Sequence, residues 1–260
     1  MNETQALLLG LLQGLTEFLP VSSSGHLEIG HAVLGVHSEN NLLFAVTVHV
    51  ATVLSTLVVF RKDIVSLFKG LFAFQWNEST IYVSKLLLSA VPVMILGLLF
   101  QEEIEQLFTG NLVLVGSMLL VTAFLLGFAH FAKKGSNKIT FGKSLIIGIA
   151  QAFAVMPGIS RSGATIATGL LLKTNKDEVA RFSFLMVLIP ILGAAFLDII
   201  GGDFTSDETI GAIPLLIGFL AAFISGLLAC AWMIKIIKKG KLIYFAIYCL
   251  VIGLIAIFAA

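Results

Sequence analysis

The sequence predicts an all-α integral membrane protein with six transmembrane helices and two re-entrant helix hairpins, arranged as an inverted-topology repeat. Of the 260 residues, 58% are hydrophobic and only 12% are charged, and the mean hydropathy is +1.04. This composition excludes an ordinary water-soluble domain. A helix needs about 20 apolar residues to cross a hydrocarbon core roughly 30 Å thick. The segments that satisfy this length are about 42–60, 81–100, 111–132, 182–201, 212–234 and 242–259.

Two further apolar segments, 5–36 and 142–172, do not fit a single span. Each has about 30 residues and is interrupted near its middle by a proline and a turn of serine and glycine. This length is too great for one crossing and too small for two. Two half-depth limbs fit better, because each would be roughly 20 Å long at 1.5 Å per residue. We therefore predict that both segments are re-entrant hairpins.

The charged residues predict how this layout is oriented. Cytoplasmic loops favour Lys and Arg, so the basic loops are expected inside and the acidic loops outside. Both termini then lie outside, the first hairpin enters from outside, and the second enters from the cytoplasm. The basic set is Arg61, Lys62, Lys69, Lys133, Lys134, Lys138, Lys143, Lys173, Lys176, Arg181, Lys235, Lys238, Lys239 and Lys241. The acidic set is Glu102, Glu103, Glu105, Asp198, Asp203, Asp207 and Glu208.

An internal repeat relates the two hairpins. The residues that recur 138 positions later are Gln13 as Gln151, Ser22 as Ser160, Ser24 as Ser162 and Gly25 as Gly163. The halves, about 1–132 and 139–260, are expected to form one membrane domain over 1–260 with opposite topologies. Inverted repeats of this kind place broken helices and a binding site near the bilayer midplane.

The first hairpin carries ionisable groups at predicted membrane depth, where charges are costly and mark functional sites. Glu17 follows Gln13 by one helical turn, so the two side chains face the same way and their oxygens could hold Mg²⁺ with substrate phosphates. His26 could act as nucleophile, general base or general acid. Ser23 could be the nucleophile if His26 activates it. A purely structural role for each stays open.

The second hairpin carries Arg161, a guanidinium that can bind phosphate oxygens bidentately. Both serine turns precede helix N-termini, which favour an anion and especially phosphate. Arg161 could also be a structural ion-pair partner of Glu17. Capping and substrate contact are both open for Ser22, Ser160, Ser162 and Thr165. His49 lies in the middle of a span, where packing and cavity lining are both open.

These motifs resemble those of the undecaprenyl-diphosphatase family, also called bacitracin-resistance proteins. The first family motif, Glu or Gln followed four residues later by Glu, matches Gln13 to Glu17, and its Ser-Ser-x-Gly-His continuation ends at His26. The second motif, PGxSRSxxT, is complete from Pro157 to Thr165. The span layout extends the resemblance over essentially the whole chain.

The resemblance implies a bacterial plasma-membrane hydrolase that removes the terminal phosphate of undecaprenyl diphosphate. The product would be the lipid carrier for peptidoglycan, and bacitracin resistance would follow because the drug's lipid target is removed. A divalent cation is implied, with Mg²⁺ expected and Ca²⁺ as the alternative. The residues that the resemblance places in the active site are Glu17, Ser23, His26, Ser160, Arg161 and Thr165. Gln13 stands where many members have Glu, so it is expected to hydrogen-bond the phosphate or to orient Glu17.

Other functions are considered on the same residues. A transporter that flips polyprenyl phosphate shares the inverted-repeat architecture, and phosphate release in detergent would distinguish it. A second lipid phosphatase family with a Pro-Ser-Gly-His motif is rejected, because Ser23 replaces its proline and no histidine follows Arg161. The sequence has no nucleic-acid motif. It leaves the oligomeric state open, with a homodimer as one option, and it predicts a site that opens on the extracytoplasmic side.

Overall fold

The computed structural model describes residues 1–36, 42–108, 110–132, 135–193 and 210–260. These residues are mainly helical, with one isolated parallel β-bridge between Asn137 and Thr174. The helices are α1 (Glu3–Phe18), α2 (Ser23–Leu34), α3 (Leu42–Val59), α4 (Arg61–Leu71), α5 (Glu78–Leu99), α6 (Gln101–Glu105), α7 (Leu112–Phe131), α8 (Phe141–Phe153), α9 (Arg161–Leu171), α10 (Lys176–Met186), α11 (Ala212–Lys239) and α12 (Ile243–Phe258). The predicted all-α class is confirmed.

The apolar helices indicate a multi-pass membrane protein. Within the described ranges, α5, α7 and α11 are each long and apolar enough to cross a bilayer. The α3 and α4 helices meet that criterion only as a pair, and they are bent by 76° where they join. The α8 and α12 helices are apolar but shorter. The count of six spans stays a prediction, and the expected span 182–201 lies partly outside the described residues.

Each segment predicted to be a hairpin is broken into two helices. The α1 helix ends before Leu19, whose extended backbone (φ −71°, ψ 144°) is the conformation that Pro20 favours in the residue before it. The α2 helix then begins at Ser23. In the second segment, α8 ends at Phe153 and α9 begins at Arg161. The break in each segment is therefore where the proline and serine turns predicted it.

The two breaks have the same capping hydrogen bond and contact each other. Ser22 Oγ accepts the Gly25 N–H at 3.2 Å, and Ser160 Oγ accepts the Gly163 N–H at 3.0 Å. Each bond pairs one of the backbone amides that have no partner within the helix at the start of α2 or α9. A Cβ placed on Gly25 would lie only 2.9 Å from the Gly158 Cα, so the turns pack backbone to backbone.

Glycines also let the first limb of each hairpin approach a long apolar helix. A Cβ on Gly10 of α1 would lie 3.0 Å from the Gly218 Cα of α11. A Cβ on Gly148 of α8 would overlap the backbone of Ser89 on α5. Gly10 and Gly148 are 138 positions apart in the chain. Small residues at such contacts are typical of helix packing in membranes.

The α7 and α12 helices meet through one reciprocal glycine contact. A Cβ on Gly116 would lie 2.6 Å from the Gly253 carbonyl oxygen, and a Cβ on Gly253 would lie 2.8 Å from the Gly116 carbonyl oxygen. The α7 helix also holds the second break in place, because Thr122 Oγ1 donates to the Gly158 carbonyl at 3.0 Å and accepts the Ser160 N–H at 2.9 Å. These contacts fix the position from which α9 begins.

Candidate active site

The two helix breaks place Glu17 and Arg161 in contact. Arg161 is the first residue of α9, and its Nη2 donates to Glu17 Oε1 near the end of α1. Only 7% of the Glu17 side chain and 19% of the Arg161 side chain are exposed. A carboxylate buried to this extent requires a partner, because an unpaired buried charge is strongly destabilising. The ion pair therefore joins α1 of the first broken segment to α9 of the second.

Three other side chains surround the second carboxylate oxygen of Glu17. Ser23 donates its hydroxyl to Glu17 Oε2 at 2.6 Å, and Gln13 donates Nε2 to the same oxygen at 3.0 Å. His49 Nε2 lies 3.9 Å from Oε2. His49 Nδ1 donates to the Ala45 carbonyl at 2.8 Å, which leaves Nε2 directed at Glu17. Glu17 is thus the common partner of groups from α1, α2, α3 and α9.

A cavity of about 330 Å³ opens at this cluster. Its polar lining comprises Thr16, Glu17, Ser22, Ser23, Ser24, His49, Gln151, Ser160, Arg161 and Ser162. Its apolar lining comprises Val93, Phe108, Ala154, Val155, Ile159, Val187, Pro190 and Ile191. The floor of the cavity carries the Arg161 guanidinium and several serine hydroxyls, and its walls are apolar. This combination suits an anionic head group that carries an apolar tail.

The serines of each break lie at this cavity in matching pairs. Ser22 Oγ is 3.3 Å from Ser24 Oγ, and Ser160 Oγ is 3.3 Å from Ser162 Oγ. Ser22 and Ser160 are also the N-caps of α2 and α9, so capping is part of their role. The N-termini of two helices therefore border one cavity, and their unpaired amides favour an anion.

His26 lies apart from the Glu17 cluster. Its Nδ1 donates to the Ser22 carbonyl at 2.8 Å, and its Nε2 lies 2.9 Å from the Tyr248 hydroxyl of α12. The two rings stack at a centroid distance of 5.5 Å. His26 is buried and is absent from the cavity lining. A catalytic role for His26 stays a prediction.

Two more predicted site residues lie behind the cavity surface. Gln13 is fully buried and contacts Glu17 rather than the cavity. Thr165 Oγ1 lies 2.6 Å from Ser183 Oγ and donates to the Arg161 carbonyl at 2.9 Å, so it joins α9 to α10. Both residues are placed to orient a charged neighbour, Glu17 in one case and Arg161 in the other.

Four polar residues of the cavity lining, Thr16, Ser24, His49 and Gln151, are not assigned to the site by the sequence. The sequence leaves both packing and cavity lining open for His49, because the depth of this residue in α3 does not fix the direction of its ring. Gln151 was noted only as the repeat partner of Gln13. The signal that could have identified Gln151 is this same repeat, since Gln13 lies beside Glu17.

The donor set around Glu17 is compatible with a divalent cation. In the described part of the chain, no three His, Cys, Asp or Glu side chains lie close enough together to hold a metal ion by themselves. However, Gln13 Oε1 is buried without a hydrogen-bond partner, one turn from the Glu17 carboxylate. Mg²⁺ commonly takes one or two protein oxygens and completes its shell with water and substrate phosphates.

Comparison with known proteins identifies the family. The family described as bacitracin resistance protein BacA matches residues 6–255. The chain belongs to this family. A protein named undecaprenyl-diphosphatase from Parabacteroides distasonis is 56% identical over 99% of this chain and 98% of its own length. Those of Bacteroides fragilis and Christiangramia forsetii are 56% and 53% identical, over 97% and 100% of this chain and 96% and 99% of their own lengths.

The match to this family therefore includes both helix breaks and at least part of every helix given above. The resemblance seen in the motifs around Glu17 and Arg161 is confirmed. The relatives match from end to end, so the cavity between the two breaks lies within the shared part of the chain.

Proposed function

We propose that this chain is an undecaprenyl-diphosphatase. It hydrolyses the terminal phosphate of undecaprenyl diphosphate and yields undecaprenyl phosphate and inorganic phosphate, which recycles the cell-wall lipid carrier and confers bacitracin resistance. The observation that carries this proposal is the contact of Arg161 with Glu17 in a cavity with apolar walls. Relatives more than 50% identical over the whole chain bear the same name.

Arg161 and the N-termini of α2 and α9 bind the diphosphate and neutralise its charge. Bound phosphate oxygens take the place of the Glu17 carboxylate as partners of the guanidinium, which can grip them bidentately. The apolar walls accept the first isoprene units of the lipid. The positive groups thus lie where negative charge develops during phosphoryl transfer.

Ser23 is the nucleophile that the geometry favours. Its hydroxyl already donates to Glu17 Oε2 at 2.6 Å, so that carboxylate can receive its proton as Ser23 Oγ attacks the terminal phosphorus. The bond from that phosphorus to the bridging oxygen breaks, and undecaprenyl phosphate leaves with the electron pair. Water then attacks the phosphorus of the phosphoserine, the bond from phosphorus to Ser23 Oγ breaks, and Glu17 returns the proton to Ser23 Oγ as inorganic phosphate is released. His26, which bonds Ser22 and Tyr248, would position the start of α2.

A divalent cation, with Mg²⁺ expected, is proposed as the cofactor. Glu17, which lines the cavity, would hold it with oxygens of the diphosphate. When bound, it supplies Lewis-acid neutralisation of the phosphate charge. The orphaned Gln13 Oε1 supports this assignment.

The proposed membrane arrangement has six spans, two re-entrant hairpins and an inverted repeat of 1–132 and 139–260. Equal capping bonds at Ser22 and Ser160 support it. The close approach of Gly10 to α11 and of Gly148 to α5 also supports it, because these two glycines are 138 positions apart, which is the offset of the repeat.

The same arrangement gives a multi-pass protein of the bacterial plasma membrane with both termini outside. The proposed opening is extracytoplasmic, because Phe108 lies in the acidic loop between α5 and α7 and lines the cavity. A homodimer stays a prediction.

Phosphate release from undecaprenyl diphosphate by the purified protein in detergent tests the proposal. We expect one inorganic phosphate per lipid and loss of turnover when a chelator removes divalent cations. A protein that only flips lipid would release no phosphate in this assay, because flipping breaks no phosphoanhydride bond and detergent micelles have no second membrane side. That result would contradict the proposed activity.

A further inference from the structure

Gln151 is a buried amide with no partner in the protein. It lies on α8, it is 2% exposed, and it lines the cavity. Neither its Oε1 nor its Nε2 has a hydrogen bond. Buried polar groups in folded proteins nearly always have a partner, so an amide with both ends free requires an explanation.

The repeat explains why the amide is free. Gln13, at the equivalent position of the first hairpin, donates Nε2 to Glu17 one turn later. The position equivalent to Glu17 in the second hairpin is Val155, whose side chain accepts no hydrogen bond. The Gln151 amide therefore has no hydrogen-bond acceptor one turn later, because the second repeat has Val155 in place of a carboxylate.

We propose that Gln151 binds the diphosphate group of the substrate, with Nε2 donating to a non-bridging phosphate oxygen. This assignment rests on the proposed function and adds a contact from the first limb of the second hairpin. Arg161 and Ser160 line the same cavity as Gln151, and all three belong to the second repeat. A phosphate held by the Arg161 guanidinium would therefore have the donors of Ser160 and Gln151 around it. Oε1 remains available for water or for an acidic hydroxyl of the phosphate.

A neutral amide suits this position for a physical reason. Glu17 already places a carboxylate in the cavity, and Arg161 already balances it. A second cation would hold the product phosphate more tightly, and a second anion would repel the substrate. An amide gives a directed hydrogen bond without changing the net charge.

The test compares Gln151→Met with the wild type. Methionine has a similar volume but makes no hydrogen bond, so the melting temperature without substrate should stay the same or rise, since an unsatisfied amide is removed. Phosphate release from undecaprenyl diphosphate should fall about tenfold or more in kcat/KM. Turnover within twofold of the wild type would overturn the proposal.

Ser144→Ala is the matched control. Ser144 is fully buried on the same helix and donates to the Phe141 carbonyl at 2.7 Å, away from the cavity. Its kcat/KM should stay within twofold of the wild type. If Gln151→Met does not fold, Gln151→Glu keeps the shape and introduces a negative charge. That variant should lose turnover while it remains folded, and wild-type turnover would overturn the proposal.

A ligand-binding measurement separates this proposal from the activity itself. If the wild type released no phosphate, the proposed function would fail, but the amide could still be tested with inorganic pyrophosphate as the probe. Pyrophosphate should then raise the melting temperature of the wild type more than that of Gln151→Met. Equal shifts in the two proteins would overturn the role of Gln151.

Discussion

Arg161 and Glu17 are 144 positions apart in the chain, yet they form a buried ion pair where the two helix breaks meet. Neither charge could remain buried alone without a large free-energy cost. Each charge therefore compensates the other in the resting protein, and under the proposed function both are held at the site where the substrate binds. An incoming diphosphate can replace the carboxylate at the guanidinium.

The geometry of the guanidinium predicts that lysine cannot replace Arg161. Arg161→Lys keeps the positive charge but loses the planar fork that binds two phosphate oxygens. We expect kcat/KM for phosphate release to fall about 10²-fold or more. The melting temperature should fall less than in Arg161→Ala, which leaves Glu17 unpaired. Turnover of Arg161→Lys close to that of the wild type would contradict bidentate binding.

The hydrogen bond from Ser23 to Glu17 predicts that loss of the Ser23 hydroxyl lowers activity much more than loss of the neighbouring Ser24 hydroxyl. Ser23→Ala removes the hydroxyl that donates to Glu17, so phosphate release should fall to the background of the assay. Ser24→Ala removes a cavity hydroxyl that contacts Ser22 but leaves the bond from Ser23 to Glu17 in place, so its loss of activity should be at least about ten times smaller. Equal losses in the two variants, measured on folded protein, would reject Ser23 as the nucleophile.

The hydrogen bond between His26 and Tyr248 predicts that substitution of either residue lowers the stability of the protein. Tyr248→Phe removes one of the two hydrogen-bond partners of the buried imidazole, which should cost about 1 kcal/mol of unfolding free energy. His26→Ala should cost more, because the bond to the Ser22 carbonyl is lost as well. Thermal unfolding in detergent measures both. Unchanged melting temperatures would show that these hydrogen bonds do not stabilise α2. Phosphate release by the folded His26→Ala variant separately tests the prediction that His26 is catalytic.

The packing of α7 on α12 predicts opposite effects for two glycines of one helix. Gly116→Ala places a Cβ against the Gly253 carbonyl and should destabilise the protein by about 1–3 kcal/mol. A Cβ on Gly127 meets nothing within 4 Å, so Gly127→Ala should be neutral or stabilising. The melting temperatures of the two variants provide the comparison, and a similar decrease in both would contradict the reciprocal contact.

The features that the sequence predicts well are those with local causes. Pro20 restricts Leu19 to an extended conformation, and the serines after it cap the next helix, so the breaks can be found without coordinates. The pairing of Arg161 with Glu17 also follows, because two charges at membrane depth require each other. The repeat of Ser22 as Ser160 predicts that both breaks lie at the same site.

The features that it misses depend on distant contacts. His26 turns toward Tyr248, which is 222 positions away in the chain, and no local pattern indicates that hydrogen bond. The direction of His49 depends on how α3 is rotated against α1. The chain bends by 76° after α3 and continues as α4, which the hydropathy of 42–60 does not reveal. The packing of whole helices against one another determines the directions of these two histidines and the position of the bend.

The location of the terminal phosphate in a structure of Ser23→Ala with undecaprenyl diphosphate bound tests the account most directly. Removal of the nucleophile should trap the intact substrate. We predict that the phosphate lies between Arg161, residue 23 and Gln151, with the lipid against the apolar cavity wall. A phosphate bound beside His26 and Tyr248, or outside the cavity between the two breaks, would contradict the account.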